Sequence, residues 1–261
     1  CGWTGGLSGG GHTGRCGGHR GKPRCRRRSC LRVWAFHRVE TQGVEREGEG
    51  FVETLQDILD SVARGVFPPA DGRTTVLPQP SRRDAGVLAF TAHSVVLTDE
   101  DPAWVYETLR EVDCDALAAP MNPRFLAALM ERTGRGAETV DAVLVAEPLP
   151  GRPPLALREI EDAGHSRIGY ARRRRDDVRA WAADGGVLVM GRGVAGRLEV
   201  SVEVDEGVRH RGLGRLLVTA ARHLVTEPLW AQVTPGNARS ARTFQAAGYR
   251  QVGAELLLHT R

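Results

Sequence analysis

The chain has 261 residues, 41% of them hydrophobic, and a formal net charge of +4. This length suffices for one good core or two small ones, and the sequence contains no run of 18 apolar residues that would predict a membrane-spanning helix. The excess of positive charge lies in residues 1–38, which hold nine Arg or Lys and no Asp or Glu. The other 223 residues carry 27 basic and 32 acidic side chains, so they are mildly acidic overall, and nucleic acid is not the expected partner.

Residues 1–50 form a Gly- and Arg-rich segment that contains four of the five cysteines. These cysteines lack the C-x₂-C spacing of a zinc site, and no apolar stretch predicts a secretory signal. We expect a disordered tail, or a segment that results from a translation start placed too far upstream. An electrostatic arm for nucleic acid and a metal or disulfide element are the alternatives. The fifth cysteine, Cys114, is expected to be a buried or half-buried thiol in a reducing cytoplasm, and no metal site is predicted.

The sequence pattern of residues 51–140 predicts helices and strands, but this region contains no motif that indicates a function. An amphipathic helix is expected at 51–64, followed by a Pro- and Gly-rich loop, and 86–98 predicts a strand or a hairpin. Two further helices are predicted from their capping residues, one from Asp101 and Pro102 to about residue 112, the other from Asn122 and Pro123 to Gly134.

Residues 141–261 alternate strands and helices, which predicts an α/β (α+β) layer. We therefore expect a tail at 1–50, an N-terminal region of uncertain role at 51–140 and a second domain at 141–261. The predicted strands of this part are 140–149, short pieces at 155–160 and 167–172, then 178–183, 186–193, 197–204, 228–234 and 252–260. The predicted helices begin near residues 215 and 238.

Two glycine-rich stretches suggest phosphate binding, and they differ in context. "GRGVAG" at 191–196 matches the dinucleotide pattern G-x-G-x-x-G, but a strand follows it, so a hairpin loop is favoured. "RHRGLG" at 209–214 lies between a strand and a helix. Its glycines permit close approach to helix N–H groups, which attract anions. It therefore predicts a binding site for a pyrophosphate.

A second segment makes the glycine loop specific. "VTPGNARSARTFQAAGY" at 233–249 contains the pattern N-x-x-(S/A)-A-x-x-F-x-x-x-G-(Y/F), with a strand between it and the loop. In order and spacing these two segments resemble the GNAT superfamily of acyl-CoA-dependent N-acyltransferases, most clearly over residues 178–258. The resemblance implies a mixed, mostly antiparallel central sheet flanked by helices, here with an extended N-terminal half. Residues 86–177 are then expected to supply the first strand and the first two helices of the family.

The resemblance also implies that residues 141–261 are an acyl-CoA-binding catalytic domain, with acetyl-CoA as co-substrate and a set of residues that bind it. The pantetheine arm would lie against Val202, Glu203 and Val204 as an added strand does. Asn237 would contact the arm, and Phe244 would lie beside the cofactor sulfur. The loop residues around the pyrophosphate would be Arg209, His210, Arg211, Gly212, Leu213, Gly214 and Arg215.

The implied reaction is N-acetyl transfer to an amine acceptor, a small molecule or a peptide, by direct transfer in a ternary complex. Glu199 and Glu203 are the candidate catalytic bases, on the strand face opposite Val200 and Val202, and Glu199 is preferred. Many family members have a tyrosine where this chain has Phe244, and a phenyl ring cannot donate a proton to the departing thiolate. A non-catalytic acyl-CoA-binding module is therefore the alternative function. The acceptor and the oligomeric state are not fixed by the sequence.

Overall fold

The computed structural model describes residues 53–161 and 164–260, so the predicted tail at 1–50 and its nucleic-acid alternative lie outside the described residues. The α-helices of these ranges are α1 (Leu55–Ala63), α2 (Pro102–Glu111), α3 (Pro123–Thr133), α4 (Ser166–Arg174), α5 (Leu213–His223) and α6 (Ala238–Ala246), and short 3-10 helices lie at Ala119–Met121, Val194–Gly196 and Glu206–Val208. The strands are β1 (Thr74–Leu77), β2 (Ala85–Phe90), β3 (His93–Leu97), β4 (Arg135–Ala137), β5 (Asp141–Ala146), β6 (Arg158–Ile160), β7 (Asp176–Ala183), β8 (Gly186–Arg192), β9 (Leu198–Val204), β10 (Leu229–Val233) and β11 (Arg250–Thr260).

Local signals determine several of these elements, as α3 illustrates. The Asn122 side chain accepts from the backbone N–H of Arg124 at 2.9 Å, and Pro123 occupies the first turn. Gly134 ends the helix with a φ of +67°, a left-handed conformation that glycine adopts at little cost. The predicted helix at 123–133 is confirmed, and the stretch 86–98 is a hairpin of β2 and β3.

The prediction of strand at 167–172 is wrong, because these residues belong to α4. The His165 ring accepts from the N–H of Arg167 at 3.2 Å and caps the helix. Ile168 and Ala171 lie three positions apart on its buried face. The strands β1 and β4 were not predicted, because each is short and is defined by pairing with β3 or β11.

The strands form one sheet in the order β1-β3-β2-β11-β5-β10-β9-β8-β7-β6, and β4 also pairs with β11. The β1/β3 and β9/β10 pairs are parallel, whereas the other pairs are antiparallel. The predicted fold, a mixed and mostly antiparallel sheet flanked by helices, is confirmed. Strands from before and after residue 140 share this sheet, and the division of the chain into regions at 51–140 and 141–261 stays a prediction.

Helices cover both faces of the sheet, because successive residues of its strands point to opposite sides. On β5, Val143 packs in a core with α1, whereas Leu144 packs in a core with α5. On β8, Val189 packs against α4 on the same side as α1. The face with α1 and α4 therefore lies opposite the face with α2, α3, α5 and α6.

Two further properties hold for the part of the chain that the structure describes. Its α-helices are 9–11 residues long, and none of its helices has the length and apolar character needed to cross a bilayer. No group of three or more His, Cys, Asp or Glu within 53–161 and 164–260 is arranged to hold a metal ion. The Cys114 thiol is exposed, so the expectation that it is buried or half-buried is wrong.

Candidate active site

The central feature of the site is a gap in the sheet between β9 and β10. These parallel strands pair at a single position, where Glu199 lies opposite Trp230. The strands on either side, β8 and β5, pair with them over seven and five positions. Beyond Glu199 and Trp230 the two strands therefore separate. The residues that follow, including Ser201, Val202 and Gln232, line a cavity of about 340 Å³, called the cleft below.

The predicted glycine loop connects β9 to α5. Gly212 is the N-cap of α5 and has a φ of +85°, which disfavours any residue with a side chain. The first N–H groups of α5 have no partner within the helix, and the helix dipole favours an anion there. Arg209 donates from Nε to the Val204 carbonyl oxygen at 3.1 Å, while Arg211 and Arg215 are exposed. The loop is therefore an exposed, positively charged surface at the end of β9.

The cleft brings together some of the predicted cofactor residues. Val202, Asn237 and Phe244 line it. Val204 lies two residues beyond Val202 along β9, and the loop at 209–215 follows. Within the loop, Leu213 and Gly214 are half-buried and His210 is exposed. The roles predicted for all these residues in cofactor binding stay predictions.

Asn237 and Phe244 occupy the side of the cleft formed by α6. The Asn237 side-chain oxygen accepts from the Ser240 N–H at 3.1 Å, so this residue is the N-cap of α6. The Phe244 ring is buried and meets the Tyr249 ring edge-on, with centroids 5.0 Å apart. The Tyr249 hydroxyl donates to the Val218 carbonyl oxygen at 3.3 Å, and burial raises the pKa of Tyr249. Tyr249 is therefore poorly suited to replace the proton donor that Phe244 lacks.

The two predicted bases differ in their surroundings, although both lie on the predicted face of β9. Glu199 is only 4% exposed, and its carboxylate accepts from Nε of Arg175 and from Nε of Arg197, each at 2.8 Å. Burial alone would raise the pKa of Glu199, but these two guanidinium groups hold it below its ordinary value. Glu203 is half-buried and pairs with Arg167 at 3.2 Å. A base role for either residue stays a prediction.

Sequence reasoning missed the buried ion network around Glu199. Arg197 donates through both terminal nitrogens to the Glu255 carboxylate, at 2.8 and 2.6 Å, and its guanidinium lies over the Trp230 ring. Gly193 packs so closely that a Cβ there would lie 2.1 Å from Oε1 of Glu199. The contact between Arg197 and Glu255 could not be predicted from the sequence, because 58 residues separate them.

The close approach of Gly193 to Glu199 gives a first prediction. In Gly193→Ala the methyl group would displace a carboxylate that two arginines hold in place, so we expect a loss of about 1–3 kcal/mol in unfolding free energy. Urea unfolding measures it. The control is Gly207→Ala, where no atom lies within 4 Å of the added Cβ. Equal stability of the two variants would contradict the packing argument.

Sequence reasoning also missed Asp141, the first residue of β5, which lines the cleft. Its Oδ1 accepts from the Thr234 hydroxyl at 2.9 Å, and Asp141 lies directly opposite Glu255 on the neighbouring strand. The pKa of Asp141 is raised above its ordinary value. Partial burial is the main cause, and the negative charges of Glu255 and Glu138 act in the same direction, whereas the hydrogen bond from Thr234 opposes them. The one available signal was an acidic residue at the start of an apolar strand.

Comparisons with known proteins give a family match and several similar solved structures. A family model described as Acetyltransferase (GNAT) family matches residues 151–249. Among solved structures, the chain is similar to a GCN5-related N-acetyltransferase from Sphaerobacter thermophilus, with 16% identity, a TM-score of 0.33, and coverage of 51% of this chain and 55% of that chain. It is also similar to a GCN5-related N-acetyltransferase from Kribbella flavida, with 22% identity, a TM-score of 0.37, and coverage of 69% and 89%. The chain thus spans about half the length of the first of these relatives. A search of curated proteins finds no match.

The matched range contains both segments on which the resemblance rests. It begins before β6 and ends at Tyr249, and so it includes β9, the glycine loop, β10 and α6. The cleft between β9 and β10 is thus formed largely by matched residues. Residues 151–249 of this chain therefore match the acetyltransferase (GNAT) family.

Proposed function

We propose that this protein transfers an acetyl group from acetyl-CoA to the nitrogen of an amine acceptor, with both substrates bound at once. The cleft between β9 and β10 carries this proposal. Past Glu199, the edge of β9 is not covered by β10, so its main-chain groups are available to an extended ligand. The acceptor is a small molecule or a peptide that bears an amine.

The amide-containing arm of acetyl-CoA suits this edge of β9. Main-chain groups at Val202, Glu203 and Val204 would pair with it as with an added strand. Asn237 lies across the cleft; its side-chain oxygen is used by α6, but its amide nitrogen can still donate to the arm. Val202 supports this position, since it lines the cleft on the β9 side.

The pyrophosphate of the cofactor suits the first turn of α5. The helix N-terminus offers N–H groups, and Gly212 and Gly214 add no side chain there. Three arginines, Arg209, Arg211 and Arg215, supply positive charge on the exposed surface of the loop. Only a short 3-10 helix at Glu206–Val208 lies between β9 and the loop, so one ligand could lie along the strand and reach α5.

The chemistry requires two proton movements. The acceptor ammonium loses a proton to a base, and its nitrogen then attacks the thioester carbonyl carbon. The new C–N bond forms, the C–S bond breaks, and coenzyme A leaves as a thiolate that takes up a proton. Phe244 cannot supply that proton. Water or another hydroxyl that lines the cleft, such as that of Ser240, Ser201 or Tyr170, would supply it.

A second candidate function is a non-catalytic module that binds acyl-CoA. The buried phenyl ring of Phe244 in the cleft favours it, because the ring provides apolar contact and no proton. Both functions require the same cofactor contacts, and they differ only in turnover.

Two measurements on the purified chain separate the candidates. Calorimetry with acetyl-CoA tests binding, and release of free coenzyme A thiol with a panel of amines tests transfer. We expect binding together with amine-dependent release. Binding without release for any amine would support the binding module, and absence of binding would contradict both functions.

Phe244→Tyr tests whether the missing hydroxyl limits turnover. The variant adds one hydroxyl to a ring that already lines the cleft, so stability should change little. Well-placed proton donors contribute roughly 10²–10⁴-fold, and an introduced one should give far less, so we expect turnover to rise by less than about tenfold. Acetyl-CoA affinity should stay within about twofold, which is under 0.5 kcal/mol. Phe244→Leu is the control, since it also lacks a hydroxyl and should give no rise. A fall in activity of folded Phe244→Tyr would indicate another donor that the hydroxyl displaces.

A further inference from the structure

The carboxylates that line the cleft are not equivalent. They are Asp84, Glu138, Asp141, Glu199 and Glu255. All of them except Asp141 form ion pairs with arginine. The pairs are Asp84 with Arg83, Glu138 with Arg174, Glu199 with Arg175 and Arg197, and Glu255 with Arg197. Among the residues that the structure describes, Asp141 is the one cleft carboxylate without an arginine partner.

Asp141 is also held in a defined orientation. The Thr234 hydroxyl donates to Oδ1, and Thr234 follows the last residue of β10, the strand that forms one wall of the cleft. On the neighbouring strand, both carboxylate oxygens of Glu255 accept hydrogen bonds from Arg197. Glu255 and Asp141 therefore accept from different donors. Within the described part of the chain, Oδ2 of Asp141 accepts no hydrogen bond, and the residue is only half-buried. This oxygen is therefore available to a molecule in the cleft.

The protonation behaviour of Asp141 contrasts with that of Glu199. Partial burial and the nearby charges of Glu255 and Glu138 raise the pKa of Asp141 despite the bond from Thr234, whereas Arg197 and Arg175 hold that of Glu199 low despite its burial. A general base is most effective when its pKa approaches the working pH. Asp141 is shifted in that direction, and Glu199 is shifted away from it.

We propose that Asp141, rather than Glu199, is the base that accepts a proton from the amine acceptor. This inference rests on the proposed acetyl transfer. An N–H bond of the ammonium breaks, an O–H bond forms at Oδ2 of Asp141, and the freed nitrogen lone pair attacks the thioester. The carboxyl group then releases its proton to water. Thr234 is a positioning residue that orients the carboxylate.

The decisive variant is Asp141→Asn, which keeps the size of the side chain and an oxygen that accepts from Thr234. At pH 7 we expect kcat/KM to fall by about 10²–10⁴-fold, while acetyl-CoA affinity stays within about twofold. The loss should shrink as the pH rises toward the pKa of the acceptor amine, about 10.4 for a lysine side chain, because more acceptor is already deprotonated. Asp141→Glu retains a carboxylate and should recover part of the activity.

The pH profile must be compared with that of the wild type, because other ionisable groups surround Asp141. Those that line the cleft are Arg83 and Asp84 before β2, Glu138 before β5, Glu199 of β9, Glu255 and His259 of β11, and Arg167, Tyr170, Arg174 and Arg175 of α4 and its end. All are present in both proteins, so a difference between the profiles reports on Asp141. The β10 residues there, Gln232 and Val233, do not ionise.

Thermal stability provides an independent readout. Because the pKa of Asp141 is raised in the folded state, its ionisation lowers stability as the pH rises above about 3.9, the ordinary value for Asp. Asp141→Asn removes this cost, so at pH 7 its Tm should be equal to or higher than that of the wild type. A merely structural role would lower the Tm.

The control is Asp113→Asn, an exposed carboxylate outside the cleft, which should change kcat/KM by less than about twofold. Wild-type kcat/KM in folded Asp141→Asn, or a loss that does not vary with pH, would overturn the inference. A wild-type protein that binds acetyl-CoA but acetylates no amine would overturn the proposed function and the inference with it. These failures are distinguishable, because only the second appears in the wild type.

Discussion

Gly214→Glu is expected to abolish acetyl-CoA binding and to leave the fold intact. A Cβ at this position would lie 3.5 Å from Thr243 Cγ2 and 3.7 Å from Val204 Cγ2, which is ordinary contact, so a side chain is tolerated. The added carboxylate would occupy the first turn of α5, where the proposed pyrophosphate must approach. We expect a loss of affinity of at least about 100-fold, or about 2.8 kcal/mol, measured by calorimetry. An acidic side chain near a helix N-terminus stabilises the helix slightly, so the Tm should not fall.

Gly214→Ala is the matched control, because it adds the Cβ without the charge and should bind acetyl-CoA nearly as the wild type does. Gly212→Glu should also lose binding, but its left-handed backbone adds strain to any substitution, so it is the weaker test. Unchanged affinity in folded Gly214→Glu would contradict the role of the loop in phosphate binding.

Arg197→Met is expected to destabilise the fold more than any other substitution considered. Arg197 is buried and pairs with Glu255 and Glu199, so its removal leaves Glu255 buried without its partner. Breaking a buried ion pair from one side costs about 3–5 kcal/mol. Despite burial, which raises it, the pKa of Glu199 is lowered by Arg197 and Arg175. This stabilisation is present above about pH 4.3 and lost below it, so the cost of Arg197→Met should shrink in acid.

Arg179→Met is the matched control for chemical unfolding experiments. Arg179 makes a similar two-bond pair with Glu159, at 2.8 and 3.0 Å, but both side chains are at least half exposed, and such pairs contribute at most about 1 kcal/mol. The double variant Arg197→Met with Glu255→Leu should recover much of the lost unfolding free energy, because it also removes the buried carboxylate that Arg197→Met alone leaves without a partner. A cost for Arg197→Met as small as that of the control would contradict the buried network.

The sequence was most informative where local signals determine structure. Asn122, Pro123 and Gly134 set the ends of α3, as predicted from their residue types. By contrast, α4 buries only Ile168 and Ala171, too few positions to reveal a helical period. The strand β1 exists because it pairs with β3, and this pairing is a property of the whole fold.

The same distinction applies to the candidate site. The glycine loop, Asn237 and Phe244 were found because their spacing within short segments is specific. Asp141 was not found, because its surroundings are created by Thr234, 93 residues away, and by Glu255 on a third strand. Residue type and local spacing were therefore enough to propose cofactor-binding residues, whereas charge neutralisation in the cleft depends on strand order.

The position of β5 between β10 and β11 has a consequence for synthesis on the ribosome. β5 ends at Ala146, whereas its partner strands begin at Leu229 and Arg250. Neither edge of β5 can therefore pair until residues much later in the chain have been synthesised. At about 5–20 residues per second, the roughly 100 residues up to β11 take on the order of 5–20 s to emerge. During this interval the apolar segment VLVA of the nascent chain is open to pairing with other chains. We expect chaperone binding to this segment during translation and slow, late completion of the sheet.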